Sequence, residues 1–441
     1  MPEGKENLNM NETETAIEQQ LLDRPLPDYL PADENWVLPH YGGLSIANLP
    51  ATIAALLGSD LPGALPPLPR ELWADWLPGL RRVVLVLVDA LGLRLLQGAW
   101  AAGDGQPFSY LAGAGRLIPL TSVVPSTTDA ALLSLRSGRP PAEHGWLAYE
   151  MYLRELGIAT NAIVLRPVWG GGSDVLLDWG LDLKKIVTVP TLPQRLAEVG
   201  IESHGVLANY LRKSGFSQML YRGTAEIRGH AQASDLWVQL RHVLAETRGQ
   251  PAFISAYCGS LDNVAHIYGP DSDSWRAEFR SIGRLLEHEF LAQVPAEDRE
   301  STLLLLTADH GQIRVPKEHI VTADKDPELS RHLQVPIMGE SRAAFVHPRP
   351  GRAGAIRSYL EETFPGWFAV VDSAQALDAG LMGLPVTDEA YARAGELLVL
   401  GRGDCALQRS EPGGPMLGRH GGLSPEEMLV PLIGTRLEAL T

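Results

Sequence analysis

Four short stretches of the chain concentrate the residue types that hold divalent metals. Asp89 follows the apolar run Val83–Val88, and Asp262 and His266 stand four apart just after Ala252–Tyr257. Asp309-His310-Gly311 follows Thr302–Thr307, and His420 lies in the loop Gly418-Arg419-His420-Gly421-Gly422. Each has an ordinary reading alone: an Asp after a strand is commonly a turn residue, and Asp262 and His266 could simply pair on one helix face. Together, three carboxylates and three imidazoles are the ligand inventory for two transition metals in mixed N/O coordination. Two such ions roughly 4 Å apart can clamp the attacking and leaving oxygens of an in-line phosphoryl displacement. A fifth stretch, Pro125-Ser126-Thr127-Thr128-Asp129-Ala130-Ala131-Leu132, adds hydroxyls where a helical pattern begins. A threonine there can attack phosphorus while the helix N-terminus holds the phosphate. Plain N-capping is the competing use of the same residues.

The elements that must bring these residues together are strands. Val83–Val88 is the kind of continuous β-branched and leucine run found in strands buried on both faces of a parallel sheet. Similar runs recur at Ala252–Tyr257, Thr302–Thr307, Ala343–Val346, Glu396–Leu400 and Met428–Ile433, and helical patterns such as Asp129–Arg136, Trp275–Phe290 and Ala355–Phe364 lie between them. The alternation predicts an α/β fold with a mainly parallel central sheet flanked by helices. Ligands in such sheets gather at the carboxyl ends of the strands, where Asp89, Asp262 and Asp309 fall. Ser45–Leu57 reads as a short apolar helix. Within residues 146–250 the pattern weakens around the glycine-rich Trp169–Asp174, which suggests an inserted cap. Residues 1–34 read as a flexible acidic tail and 35–441 as one catalytic domain, because ligands scattered from Asp89 to His420 must converge.

The 441 residues carry 37 Lys+Arg against 53 Asp+Glu, a net charge of −16, with 45% hydrophobic and 20% charged residues. That profile excludes a disordered or collagen-like chain. It also argues against binding a nucleic acid duplex, which needs clustered cations. A small phosphoester partner, possibly a nucleotide, remains compatible if metal ions reverse the local sign. Two cysteines, Cys258 and Cys405, make no disulfide framework and show no zinc-ligand spacing, and the N-terminus is polar. The longest apolar runs fall far short of the roughly 18 residues that cross a bilayer. A cytoplasmic location without membrane partners is the expectation; oligomeric state is not legible.

In this order, Asp89, Pro125–Thr128, Ser137-Gly138-Arg139-Pro140-Pro141-Ala142-Glu143-His144-Gly145, Asp262-Asn263-Val264-Ala265-His266 with Tyr268-Gly269-Pro270, Asp309-His310-Gly311 and His420-Gly421-Gly422 resemble a known set. The set resembles the alkaline phosphatase superfamily, and most closely its type I phosphodiesterase/nucleotide pyrophosphatase family. The resemblance implies an alkaline phosphatase-like fold and two divalent ions, zinc first, with manganese or iron as alternatives. One zinc would be held by Asp262, His266 and His420, the other by Asp89, Asp309 and His310 with the Thr128 oxygen as a further ligand. Thr128 would be the nucleophile, with Thr127 in reserve, and His144 would close a turn. The implied activity is phosphodiester or pyrophosphate hydrolysis. The alternatives are a phosphomonoesterase, a phosphonate hydrolase, or a non-catalytic metal-stabilised interaction module. A sulfatase is rejected because neither cysteine lies in a C/S-x-P-x-R context. One departure stands out: Ala131 occupies the place, three residues after the nucleophile, where relatives usually carry an Asn that donates to a phosphate oxygen. Asn209, Tyr210, Asn263 and Tyr268 are candidate replacements.

Overall fold

Arg82–Val88 is buried along its whole length, as expected of a strand covered on both faces. It forms β1, the centre of a seven-stranded sheet in this computed structural model, which describes residues 10–32 and 34–440. The other strands are β2 (Arg116–Thr121), β3 (Glu202–Ala208), β4 (Glu226–His230), β5 (Ala252–Cys258), β6 (Thr302–Thr307) and β7 (Leu429–Arg436). They are ordered β2-β7-β6-β1-β5-β3-β4. β1 pairs in parallel with β5 and β6, and β3 in parallel with β5 and β4. β7 runs antiparallel to both of its neighbours, β6 and β2. So the carboxyl ends of β1, β2, β5 and β6 share one edge with the start of β7.

The runs Ala343–Val346 and Leu397–Gly401 do not join this sheet, although their apolar character suggests it. They belong to a second seven-stranded sheet, built of antiparallel pairs, together with Met338–Glu340, Phe368–Asp372, Glu150–Leu153, Ile158–Asn161 and Arg166–Pro167. Ala343–Val346 and Leu397–Gly401 are apolar on both faces because both are covered. Ala343 and Phe345 face the central core, whereas Ala344 and Val346 pack with Ile356 and Leu360 of the Ala353–Thr363 helix.

Residues 146–250, where the sequence suggests an inserted cap, are divided between the sheets: Glu150–Leu153, Ile158–Asn161 and Arg166–Pro167 extend the second, and β3 and β4 complete the first. The stretch 1–34 is not uniformly a tail. Residues 1–9 lie outside the described residues, but Glu12–Leu22 is a helix. Asn11 accepts the Glu14 amide at 2.9 Å and the Glu14 carboxylate accepts the Asn11 amide at 2.8 Å, a reciprocal cap that acidic composition conceals. The buried Leu21 anchors it to the body. Among the described residues, no helix is long and apolar enough to cross a membrane.

Candidate active site

The shared edge carries the expected metal ligands and the expected nucleophile. Asp89 directly follows β1; Asp309 and His310 follow β6; Asp262 and His266 lie on the Ser260–Tyr268 helix after β5; Thr128 opens the Thr128–Ser137 helix after β2. His420 comes from the loop that feeds β7. Because β7 runs against its neighbours, its entering loop arrives at the edge where the other strands leave.

The imidazoles are held in one orientation. His266 Nδ1 lies 2.8 Å from the Gly418 carbonyl, His310 Nδ1 3.0 Å from the Gly311 carbonyl, and His420 Nδ1 3.1 Å from the Ser126 carbonyl. A carbonyl only accepts, so each Nδ1 carries the proton and each Nε2 presents a lone pair. That is the arrangement in which a ligating histidine is oriented through its other nitrogen. His310 Nε2 sits centrally, 3.1 Å from Thr128 Oγ1, 3.6 Å from Asp89 Oδ1 and 3.7 Å from Asp309 Oδ2.

Among the described residues three groups have ligand atoms all within 4.8 Å of one another; two lie at this edge, Asp89, Asp309 and His310, and Asp262, His310 and His420, and the third, His319, Asp404 and Cys405, lies apart from them. The first is the set the resemblance implies. In the second, His310 takes the place expected for His266, whose Nε2 lies 3.4 Å from Asp262 Oδ1 and whose ring centroid is 5.2 Å from that of His420. His310 and His420 stack at 3.8 Å. A cation fits here on chemical grounds. Asp89 Oδ1 and Asp309 Oδ2 are buried acceptors without a hydrogen-bond partner among the described residues, while their sister oxygens are satisfied. Tyr257 donates its hydroxyl to Asp89, and Asp309 Oδ1 accepts the Ala90 and His310 amides at 3.1 and 3.0 Å. Buried carboxylate oxygens are rarely left unpaired in folded proteins. Burial, then the charges of Asp309 and Asp262, hold the Asp89 carboxyl well above the usual range, and burial with the neighbouring His310 and His266 holds His420 well below its own. A divalent cation would favour the charged Asp89 carboxylate, and the neutral imidazole of His420 is already the form that binds one.

Thr127 is the N-cap residue but does not cap: its hydroxyl donates to Glu340 at 2.7 Å. The first amides of a ten-residue helix therefore point toward the site without a side-chain acceptor, ready for an anion. The loop carrying Thr128 is tied to the His420 loop, since Ser126 Oγ donates to the Gly422 carbonyl at 2.8 Å and accepts the Gly421 amide at 3.2 Å. Gly421 has φ of +114°, and a Cβ there would lie 2.5 Å from that of Glu340, so both backbone conformation and space demand glycine.

A cavity of about 500 Å³ opens over these groups, lined among others by Thr128, Asp129, Asp262, Glu340, Arg409 and Arg419. A larger hollow of about 670 Å³ adjoins it but contains none of the ligand residues. Sequence reasoning misses Glu340, Asp129, Tyr257 and Gln312. Glu340 arrives from the second sheet; burial pushes its carboxyl up to about 7, against the hydrogen bonds from Thr127 and the Tyr149 amide. Asp129 is fully buried with neither oxygen hydrogen-bonded among the described residues, and burial, then Glu340 and Asp309, raise its carboxyl well above the usual range. Gln312 Nε2 donates to Asp262. The only available signal for Gln312 is its place three residues after Asp309.

Ala131 is buried inside the helix. Of the four side chains named as replacements for the missing amide, Asn263 lines the cavity, whereas Tyr210 and Tyr268 are 78% and 52% exposed. His144 lies in the turn after the helix, where Nδ1 accepts the Trp146 amide at 3.1 Å and Nε2 donates to Ser134 at 3.0 Å.

A family model described as type I phosphodiesterase/nucleotide pyrophosphatase matches residues 83–422. The chain belongs to that family. Its members are phosphoester hydrolases of the alkaline phosphatase superfamily, and the His and Asp groups above are its metal-site candidates here. Among curated proteins, human ectonucleotide pyrophosphatase/phosphodiesterase family member 7 is 25% identical over 166 residues, 36% of this chain; the match spans about a third, 34%, of that relative. Among solved structures, murine ectonucleotide pyrophosphatase/phosphodiesterase 5 superposes with a TM-score of 0.62 at 14% identity, covering 80% of this chain and 87% of its own. Phosphonoacetate hydrolase from Sinorhizobium meliloti 1021 gives 0.58 at 18% identity, covering 81% and 90%. These two likenesses establish the fold.

Proposed function

We propose that the chain hydrolyses a phosphodiester or pyrophosphate bond with Thr128 as nucleophile, and that two divalent ions, zinc first, complete the site. The observation that carries this reading is the position of Thr128 Oγ1, 3.1 Å from the Nε2 of His310, the residue common to both ligand groups. Asp89, Asp309 and His310 would hold one ion; Asp262 and His420, with His266 beside them, would hold the other. When bound, the ions supply positive charge at the attacking and leaving oxygens. An inactive threonine-to-alanine variant of the murine relative, solved in complex with AMP, is consistent with a threonine nucleophile and a nucleotide-like substrate.

This chain's residues do the rest. Thr128 is fixed at a helix start, so its oxygen meets the phosphorus without reorientation. The free first-turn amides bind the non-bridging phosphoryl oxygens. The bond from Thr128 Oγ1 to phosphorus forms as the bond to the leaving oxygen breaks and the hydroxyl proton passes to solvent or the leaving oxygen, which leaves a phosphothreonine that still carries the substrate's retained group. Water then attacks phosphorus and returns the threonine hydroxyl and inorganic or monoester phosphate. No side chain need act as the base if the hydroxyl pKa is lowered electrostatically.

The test is hydrolysis of bis(4-nitrophenyl) phosphate, 4-nitrophenyl phosphate and a phosphonate monoester by one preparation. The diester should turn over fastest, chelation should abolish the rate, and zinc or manganese should restore it. A rate untouched by chelator, or preserved in Thr128→Ala, would refute the reading; monoester or phosphonate preference would move the substrate class within it.

A further inference from the structure

Arg419 immediately precedes His420 and is only 6% exposed. Its Nη2 donates to Gln408 Oε1 at 2.9 Å, its Nε has no partner, and no carboxylate among the described residues pairs with it. Other deeply buried arginines are compensated. Arg82 pairs with Asp298, Arg342 with Glu427 and Arg393 with Glu155, and Arg136 lies over the Tyr221 ring at 4.0 Å. Removing a guanidinium from water without a counter-charge is costly. An arginine is a cation at neutral pH, and Arg419 feels the charge of Glu340.

Its placement is not accidental to the site. Arg419 lies in the two-residue strand Gly418–Arg419, paired with Ile313–Arg314, and the Gly418 carbonyl accepts His266 Nδ1–H. The strand that orients the His266 imidazole therefore also fixes the arginine backbone. Arg409, the other arginine in the cavity wall, is already held by Glu150 in a bidentate pair at 2.8 and 2.9 Å. Arg419 also lines both the cavity over Thr128 and the adjoining hollow, which contains Lys317 and Lys325. A substrate group that reaches it has room to continue.

We propose that Arg419 binds a second oxyanion of the substrate, so that the preferred substrates are phosphoesters or phosphonates bearing a further phosphate or carboxylate. This deepens the hydrolase reading, on which it rests. A guanidinium fork presents paired donors that match the oxygens of either group.

The experiment is calorimetric titration of the zinc-loaded protein with two matched pairs: glycerol monophosphate against glycerol bisphosphate, and ethylphosphonate against phosphonopropionate. The wild type should bind the doubly anionic member of at least one pair roughly 10- to 100-fold tighter, the range of one charge-assisted hydrogen bond. Arg419→Met should erase that ratio and Arg419→Lys should keep part of it. Preference confined to the bisphosphate identifies a phosphate as the second anion; preference confined to phosphonopropionate identifies a carboxylate. Equal binding within both pairs by the wild type, or a preference that survives Arg419→Met, would overturn the proposal. The wild-type comparison stands even if Arg419→Met fails to fold. Hydrolysis of bis(4-nitrophenyl) phosphate by the same wild-type preparation separates the two levels: no turnover with the Arg419-dependent preference intact counts against the hydrolase reading and supports the arginine's role.

Discussion

Asp309→Asn should change the sign of its effect on stability according to whether metal is present. The ligand oxygens of Asp89 and Asp309 lie within 4.8 Å of each other. At an effective dielectric of about 20, two unit charges at that separation repel by about 3 kcal/mol. Asp89 relieves part of this by proton uptake, the direction in which its pKa is moved. The substituted amide keeps a carbonyl oxygen in the place of Asp309 Oδ1, which accepts the Ala90 and His310 amides, so local geometry is kept. The metal-free variant should therefore be more stable than wild type by on the order of 1–2 kcal/mol at pH 8. With zinc the order reverses. A site filled at 100 times its Kd gains about 2.7 kcal/mol, and a variant whose affinity falls about 100-fold keeps only a few tenths of that. Urea unfolding at pH 8, once in chelator and once in zinc, measures both differences. The same sign under the two conditions would refute a metal role for Asp309.

Glu340 should make the metal-free protein lose stability as pH rises. Its carboxyl is raised to about 7, so its contribution is fully present below the ordinary value near 4.5 and is lost as pH passes through about 7. Glu340→Gln should then flatten the stability profile across that window and stabilise the metal-free protein above it by on the order of 2 kcal/mol, read by urea unfolding across pH. Glu427 is fully buried, pairs with Arg342 at 3.0 Å and accepts the Gly422 amide at 2.8 Å. Glu427→Gln should cost roughly 3–5 kcal/mol and weaken zinc binding through the His420 loop; unchanged unfolding midpoints would contradict the coupling. Gly421→Ala, at φ +114° and against Glu340, should lower zinc affinity measured by competition with a chelating dye. Wild-type affinity in that variant would show that the loop tolerates a side chain.

The catalytic edge was legible because strand and chemistry coincide in one dimension. Apolar runs end in Asp89 and Asp309, and the parallel pairing of β1 with β5 and β6 brings these ends together. The second sheet was not legible as such. Ala343–Val346 and Leu397–Gly401 are buried on both faces, and an apolar run carries no sign of which sheet it joins. For the same reason Glu340 was invisible: its strand is three residues long, and its place beside Thr127 exists only after the two sheets meet. The amide missing at Ala131 is read directly from the sequence, and that position is buried in the helix that Thr128 opens. The sharing of His310 between both ligand groups depends on side-chain distances that spacing does not encode.

The most direct test of the account is to quench turnover of a phosphodiester within its first cycles and map the phosphoryl group by peptide mass spectrometry. The expected adduct is Thr128 esterified to the phosphoryl group with the substrate's retained ester group still attached, present only when metal is supplied and absent from Thr128→Ala, which should be inactive. Turnover at the wild-type rate by Thr128→Ala, or a phosphoryl group trapped on another residue, would contradict it.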